Sequence, residues 1–492
     1  MIQIRKKIKT NMKKSIKTNY LYNLSYQLMV IMLPLITTPY VSRILGAGGI
    51  GDYSYTSGIV SYFGLAAATG TLSFAQREIA VCQNEKTKRS VLFWEIFLFR
   101  ALSGALVLAA YTFFVRNFMP QYKVLYRIQY LTVFSWLADI SWYFQGTENY
   151  KITSVKNSVV KIIGTALIFI FVKKVEDLWI YALIVSGTAL AGNLSMWGYI
   201  FREVCWPGLR EIHIFRNVKD IMELFVPVLS IQLYTVLDKT MLGSLCNTVE
   251  VGYYSQAEKI VKLALTVVSA FISVLMPRLA VLYRSGDMKN IMKYYKRALD
   301  FIFLLALPML AGCLLLSGEF VPFFFGKGYH PVIRLMRIES LLFIILSLGQ
   351  MFGNFLIAMN RQKEYTAAVT MAAAVNVILN YLFIRYADLG ATGAAIASVI
   401  AESVSTGVQF YFAKDLLGYR PIFRSLAKYI LPTGIMAVAI LTVRYFFEGF
   451  LSLVLSVVLG ITTYGVFLLI CRDEMAAYIL HWLLNRRKRC GL

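Results

Sequence analysis

The sequence predicts an all-α, polytopic membrane protein, and three observations carry that fold class. Hydrophobic residues make up 58% of the 492 and charged residues only 15%, where about a quarter would be charged in an ordinary soluble domain. Mean hydropathy is +0.63. Apolar stretches of roughly 18 to 25 residues recur from end to end, each long enough at about 1.5 Å per residue to cross a hydrocarbon core about 30 Å thick. Basic residues collect in the short connections between these stretches. A β-barrel would instead show short alternating segments.

Fourteen spans are read in order, near 21–45, 50–72, 90–115, 123–145, 153–172, 178–201, 221–244, 251–276, 298–317, 334–358, 365–386, 390–413, 427–446 and 450–471. The first follows a basic arm (Arg5, Lys6, Lys7, Lys9, Lys13, Lys14, Lys17) and is too long for a signal-peptide core, so it reads as an uncleaved span. It meets the second at a glycine-rich corner, Gly46, Gly48, Gly49 and Gly51. The longest connections, near 202–220 and 277–297, are expected to hold short amphipathic helices, and neither is long enough for a catalytic domain.

The net charge of +24 follows topology rather than nucleic-acid binding. Basic residues cluster at Lys86–Arg89, Arg202–Lys219, Arg284–Arg297, Lys414–Lys428 and Arg486–Arg489. All fall on one side if both termini are cytoplasmic, where they also favour anionic membrane lipids. The connection at Arg116–Arg127 fits this pattern least well. Six scattered cysteines and three histidines exclude a zinc site or disulfide framework, and no cofactor is expected.

The chain repeats itself. Gly51, Tyr53, Ser54, Ile59, Val60 and Arg77 recur 201 positions later as Gly252, Tyr254, Ser255, Ile260, Val261 and Arg278. Two related halves of six spans enter the membrane in the same sense, which implies a pseudo-two-fold axis along the membrane normal. The expected domains are 1–205 and 206–415, each a six-helix lobe, and 416–492, two additional spans with a basic tail. A second echo, off that offset, links the exits of spans four and ten, QGTENYKIT and AMNRQKEYT, each with a tyrosine (Tyr150, Tyr365).

Ionisable residues inside spans are costly and commonly face a wet cavity. The candidates for substrate binding are Arg43, Arg100, Lys239, Lys259 and Lys262, with Asp139, Asp238 and Glu258 as gating or charge-tuning groups. Lysine and arginine there suit a phosphate-bearing ligand. Each single charge can equally belong to a structural ion pair, such as Glu95 with Arg100 or Glu258 with a nearby lysine. Lys161 and Glu402 are further intramembrane charges. Pro34, Pro39, Pro227 and Pro277 are candidate kinks, and Tyr53, Tyr55, Tyr234, Tyr253 and Tyr254 are candidates for stacking on sugar rings.

Three stretches, Pro34–Ser54, Asp139–Lys151 and Leu237–Gly243, resemble the flippases of the polysaccharide transport family, within the superfamily that also holds multidrug exporters and lipid II flippases. The resemblance covers nearly the whole chain. It implies a V-shaped pair of six-helix lobes that moves an undecaprenyl-diphosphate-linked oligosaccharide from the inner to the outer leaflet, without being an enzyme. It also makes a polysaccharide polymerase and glycosyltransferases candidate partners. No ATP-binding loop is present, so a gradient, membrane potential or substrate supply would drive transport. A cation-coupled multidrug or metabolite exporter is the alternative, expected to rely on buried acids. A membrane-embedded glycosyltransferase or polymerase would need a catalytic loop that the sequence lacks.

Overall fold

The computed structural model describes residues 2–68, 70–118 and 120–477, and the side chains of 25–68, 70–118, 121–208, 210–222, 236–273, 275–276 and 278–477. The basic cluster at Arg486–Arg489 and the side chains of Pro227, Tyr234 and Pro277 lie outside the described residues.

Sixteen α-helices follow one another, and no strand occurs among the described residues: α1 (Ile2–Ala68), α2 (Thr71–Val81), α3 (Lys86–Asn117), α4 (Lys123–Ala138), α5 (Ser141–Gly146), α6 (Tyr150–Phe171), α7 (Leu178–Glu203), α8 (Val218–Leu245), α9 (Thr248–Arg284), α10 (Met288–Phe325), α11 (His330–Glu339), α12 (Leu342–Ala358), α13 (Gln362–Asn380), α14 (Gly390–Leu417), α15 (Arg420–Phe446) and α16 (Gly449–Ile470). Eleven helical stretches among the described residues are long and apolar enough to cross a membrane by length and composition. The fourteen expected spans map onto these once three cases are allowed for. Spans one and two share the single stretch Ser25–Val81, span four is split between α4 and α5, and span seven is α8.

The glycine corner is real, but it is a kink rather than a loop. The helix runs through it, with Gly46 alone at φ 66 and ψ 177. That region is essentially confined to glycine. The expected twenty-residue connection at 277–297 does not exist: α9 continues to Arg284 and α10 starts at Met288. The reason is that the basic residues Arg284, Lys289 and Lys293 extend the helices beyond the apolar part instead of interrupting them. Asp287 makes the turn between, its carboxylate accepting from the backbone N–H of Asn290 at 3.1 Å as an N-cap. The connection 204–217 likewise carries only one short helical turn, Leu209–Glu211.

The chain divides into two compact units, Met1–Gly243 and Ser244–Leu492. This division by packing places α8 up to Gly243 with the first unit, and α15 and α16 with the second. In the first unit α4 packs on α7, α6 on α7 and on α1, and α1 on α3 and α4. In the second α12 packs on α14, α13 on α14, and α9 on α10, α11 and α12. The pairings of spans two, three, four, five and six thus reappear among spans eight to twelve. The turns ending spans four and ten repeat bond for bond. Thr147, Glu148 and Asn149 donate to the carbonyls of Tyr143, Gln145 and Phe144, as Met359, Asn360 and Arg361 do to Phe355, Ile357 and Leu356. Glu148 and Asn360 hold the matching positive φ of 54 and 60. This register is 212 residues, so Tyr150 and Tyr365 are not equivalent in it.

Close helix approach is bought with missing side chains. A Cβ on Gly64 would strike the Trp136 ring, one on Gly104 the Leu137 side chain, and one on Gly146 both Ile79 and the Gln76 carbonyl.

Candidate functional site

Unit 1 breaks two of its spans beside one arginine. Span two is interrupted at Gly70 (φ 69) and resumes as α2. Span four is interrupted after Ala138, where the Asp139 carboxylate accepts from the Ser141 backbone N–H at 2.8 Å and so starts α5. Arg100, on unbroken α3 and only 3% exposed, reaches both breaks. It donates to the Trp136 carbonyl at 2.6 Å and to Thr71 Oγ1 at 3.3 Å. Asp139 lies close enough to act on its charge. Arg100 and Asp139 are therefore brought together where two spans are broken.

Glu95, expected beside Arg100, is instead committed elsewhere. It accepts from the His213 backbone N–H at 3.0 Å and Asn217 Nδ2 at 3.2 Å, with Arg216 at 3.5 Å. It thereby pins the 204–217 connection to α3. That contact joins residues more than a hundred positions apart, and local spacing carries no signal for it.

Asp238 is 6% exposed and Lys239 half-buried on α8, against the part of α1 beyond the kink. There Tyr62 Oη and Thr240 Oγ1 lie 2.8 Å apart, and Gly58 packs against Val236 and Thr240. Arg43 is exposed on α1 just ahead of Gly46. A band of uncharged polar side chains crosses the same unit. Gln129 donates to Thr56 Oγ1 at 3.1 Å, Thr132 to Ser186 Oγ at 2.9 Å and Asn193 to the Ser135 carbonyl at 2.8 Å.

Unit 2 carries Glu258, Lys259 and Lys262 on α9. Glu258 is 8% exposed, and Lys262, half exposed, pairs with it one turn away at 2.5 Å. Lys259 is half-buried between them in sequence. Tyr254 Oη and Ser398 Oγ are 3.1 Å apart, Asn380 donates to Asn376 at 3.0 Å with both residues fully buried, and Gln409 donates to Ser405 at 3.0 Å. Apart from Tyr254, named for its ring, these amides and hydroxyls escaped sequence reasoning, which searched for formal charge. Their signal would have been a polar residue on the apolar face of a span.

An apolar cavity of ≈ 690 Å³ opens among α10, α15 and α16, lined by residues including Leu304, Pro308, Met309, Ile440, Val457 and Tyr464. Gly312 and Gly465, whose missing Cβ atoms would meet nothing within 4 Å, leave part of it vacant. Close to the Ala476 wall lies a buried polar knot. Asp473 accepts from Lys428 Nζ at 2.5 Å, Tyr429 Oη at 3.1 Å and the Ala476 N–H at 2.7 Å. Burial alone would raise the Asp473 pKa, but the ammonium and the N–H outweigh it and hold the carboxyl below its ordinary range. Among the described residues no three His, Cys, Asp or Glu side chains gather as a metal site.

The sequence family described as polysaccharide biosynthesis protein matches residues 16–283. Over 411 residues the chain is 22% identical to the Escherichia coli (strain K12) protein named "Putative O-antigen transporter", covering 82% of this chain and 98% of that one. It is 23% identical over 414 residues to "Uncharacterized membrane protein EpsK" of Bacillus subtilis (strain 168), covering 78% and 80%. Among solved structures, "Lipid II flippase MurJ, inward closed conformation" superposes with a TM-score of 0.73 at 16% identity, over 93% of this chain and all of that one. An inward-facing multidrug resistance MATE family transporter of the MOP superfamily gives 0.62 at 16% identity, over 81% and 96%. The structural likenesses speak for the fold alone. The family match, which takes in more than half of the residues, shows that this multi-pass helical membrane protein belongs to the polysaccharide biosynthesis protein family.

Proposed function

We propose that the chain is a flippase that carries an undecaprenyl-diphosphate-linked oligosaccharide from the inner to the outer leaflet for surface polysaccharide synthesis. The observation that carries this reading is the pairing, in one chain, of intramembrane cations with an apolar cavity. A lipid-linked sugar has an anionic diphosphate, a polar glycan and a long hydrocarbon tail. Lys239, Lys259, Lys262 and Arg43 supply positive charge for the first, with Arg100 buried deeper in unit 1. Half-buried polar side chains such as Thr132 and Asn193 suit the second, and the cavity among α10, α15 and α16 suits the third. Asp139, Asp238 and Glu258 temper the positive charge so that binding remains reversible. The relative named as an O-antigen transporter supports the same class of cargo.

Under this reading the basic clusters favour cytoplasmic termini, and 1–205 and 206–415 would act as the repeated lobes. A polysaccharide polymerase and glycosyltransferases would act beside it. The test is reconstitution of the full chain in liposomes with a fluorescent undecaprenyl-diphosphate oligosaccharide. Accelerated exchange between leaflets, with the cargo chemically unchanged, is expected. Exchange no faster than in protein-free vesicles, or formation of a new glycosidic bond, would refute it.

A further inference from the structure

Lys262 and Arg100 each have an acid close by, and Lys161 on α6 differs. It sits eleven residues after Tyr150 and ten before Phe171, so about 15 Å of helix separates it from either end of the span. A lysine stem is too short to carry the ammonium from there to a membrane interface. Lys161 is nevertheless exposed on the surface of the protein. Among the described residues it has no ion-pair or hydrogen-bond partner.

The direction in which it points follows from the helix. Five of the six exposed large apolar side chains of α6, Val155, Val159, Ile162, Ile163 and Ile170, share one face, and Phe171 at the helix end lies off it. At 100° per residue Lys161 lies about 150° around the helix from the centre of that face. It falls instead about 40° and 60° around from Asn157 and Gly164, which pack against Gly192 and Thr188 of α7. Ser154 and Ile168, near Lys161 in angle, are buried. The packed side of α6 therefore opens at mid-height, and the opening holds an ammonium group. The α7 residues that meet this side of α6, Thr188 and Gly192, are small. An unpaired ammonium facing acyl chains at this depth would cost upwards of 2.5 kcal/mol. A wet, polar opening removes that cost.

We propose that Lys161 is an anion-binding residue of unit 1 that contacts the phosphate groups of the cargo at mid-membrane. The proposal rests on the flippase reading and adds to it a residue outside the charge clusters of α1, α8 and α9. A group with a compensating acid, such as Lys262 beside Glu258, must exchange one partner for another when cargo arrives. Lys161 gains a partner without losing one.

The experiment uses the full chain in nanodiscs and two probes, undecaprenyl diphosphate and the neutral undecaprenol. The wild type should bind the diphosphate more tightly than the alcohol. Lys161→Met should weaken diphosphate binding about tenfold or more, as expected for loss of a charge-assisted contact, and leave undecaprenol binding unchanged. Lys161→Arg should retain most of the preference. Lys161→Gln, which keeps a polar group without charge, should behave as Lys161→Met does, so the result does not depend on how one variant folds. A wild type that prefers the diphosphate, with that preference intact in Lys161→Met and Lys161→Gln, overturns the role of Lys161 alone. A wild type with no preference overturns the flippase reading and the role of Lys161 together. Equal loss of both probes in all three variants assigns Lys161 to folding and also overturns the proposal.

Discussion

Arg100 offers a direct separation of architecture from cargo handling. Its guanidinium ties the Trp136 carbonyl at 2.6 Å to the Thr71 hydroxyl at 3.3 Å, across the breaks in spans two and four. Arg100→Met keeps the bulk of the stem but removes every donor. The short bond to the carbonyl is charge-assisted and accounts for about 1.5–3 kcal/mol, and the longer one adds less, so a total loss of about 2–4 kcal/mol is expected. For a unit of this size about 2–4 °C of melting temperature corresponds to each kcal/mol, giving a fall of roughly 5–15 °C. The assay is thermal unfolding of the purified protein in nanodiscs, with leaflet exchange measured on the same preparation at low temperature. Arg100→Lys, with one compact ammonium in place of a planar fork, should fall between the two. An unchanged melting temperature would refute the structural role, and lost exchange beside it would leave cargo contact as the whole role of Arg100.

Four further outcomes test other parts of the structure. Gly46→Ala should cost about 1–3 kcal/mol although its Cβ meets nothing within 4 Å, because the backbone conformation is nearly glycine-only; thermal unfolding that matches wild type would contradict the kink. Asp473→Asn should destabilise the α15–α16 end. Since the folded carboxyl is held below its ordinary range, its stabilisation is full above about pH 4 and fades as pH falls through the lowered value, so wild type and variant should converge in acid. A double-mutant cycle between Glu258 and Lys262 should give a coupling of about 1 kcal/mol or less, since Lys262 is half exposed; several kcal/mol would assign the pair to folding. Lys262→Glu should abolish polymer export in cells at normal protein level, and full export would remove Lys262 from the site.

Fold class was legible because its signals are local. Hydropathy marked the spans, and Gly46 marked the corner between the first two. Helix ends were less legible: Arg284 and Lys289 read as loop residues, yet in water charged residues continue a helix as readily as apolar ones do. The repeat was visible at one offset because Gly51 and Gly252 begin equivalent spans. Its continuation into the turns at Glu148 and Asn360 was obscured, since that register depends on backbone dihedrals and length changes between the halves. Charged positions could be found by type, but their partners could not. Glu95 chose a distant connection over Arg100 five residues away, because residues five apart lie on different sides of a helix. Lys161 looked like one charge among several until the faces of α6 were known.

The cavity among α10, α15 and α16 has a consequence for measurement. Bounded by hydrocarbon side chains and open to its surroundings, it cannot stand vacant in a bilayer, where phospholipid tails are present at molar concentration. Any isoprenoid that enters must displace a host chain, so apparent affinity will scale with the length and saturation of the matrix lipid even when no residue is altered. Rates obtained in short-chain detergent and in a native-like membrane should therefore differ for the same polypeptide, and comparisons among homologues are meaningful only in one lipid.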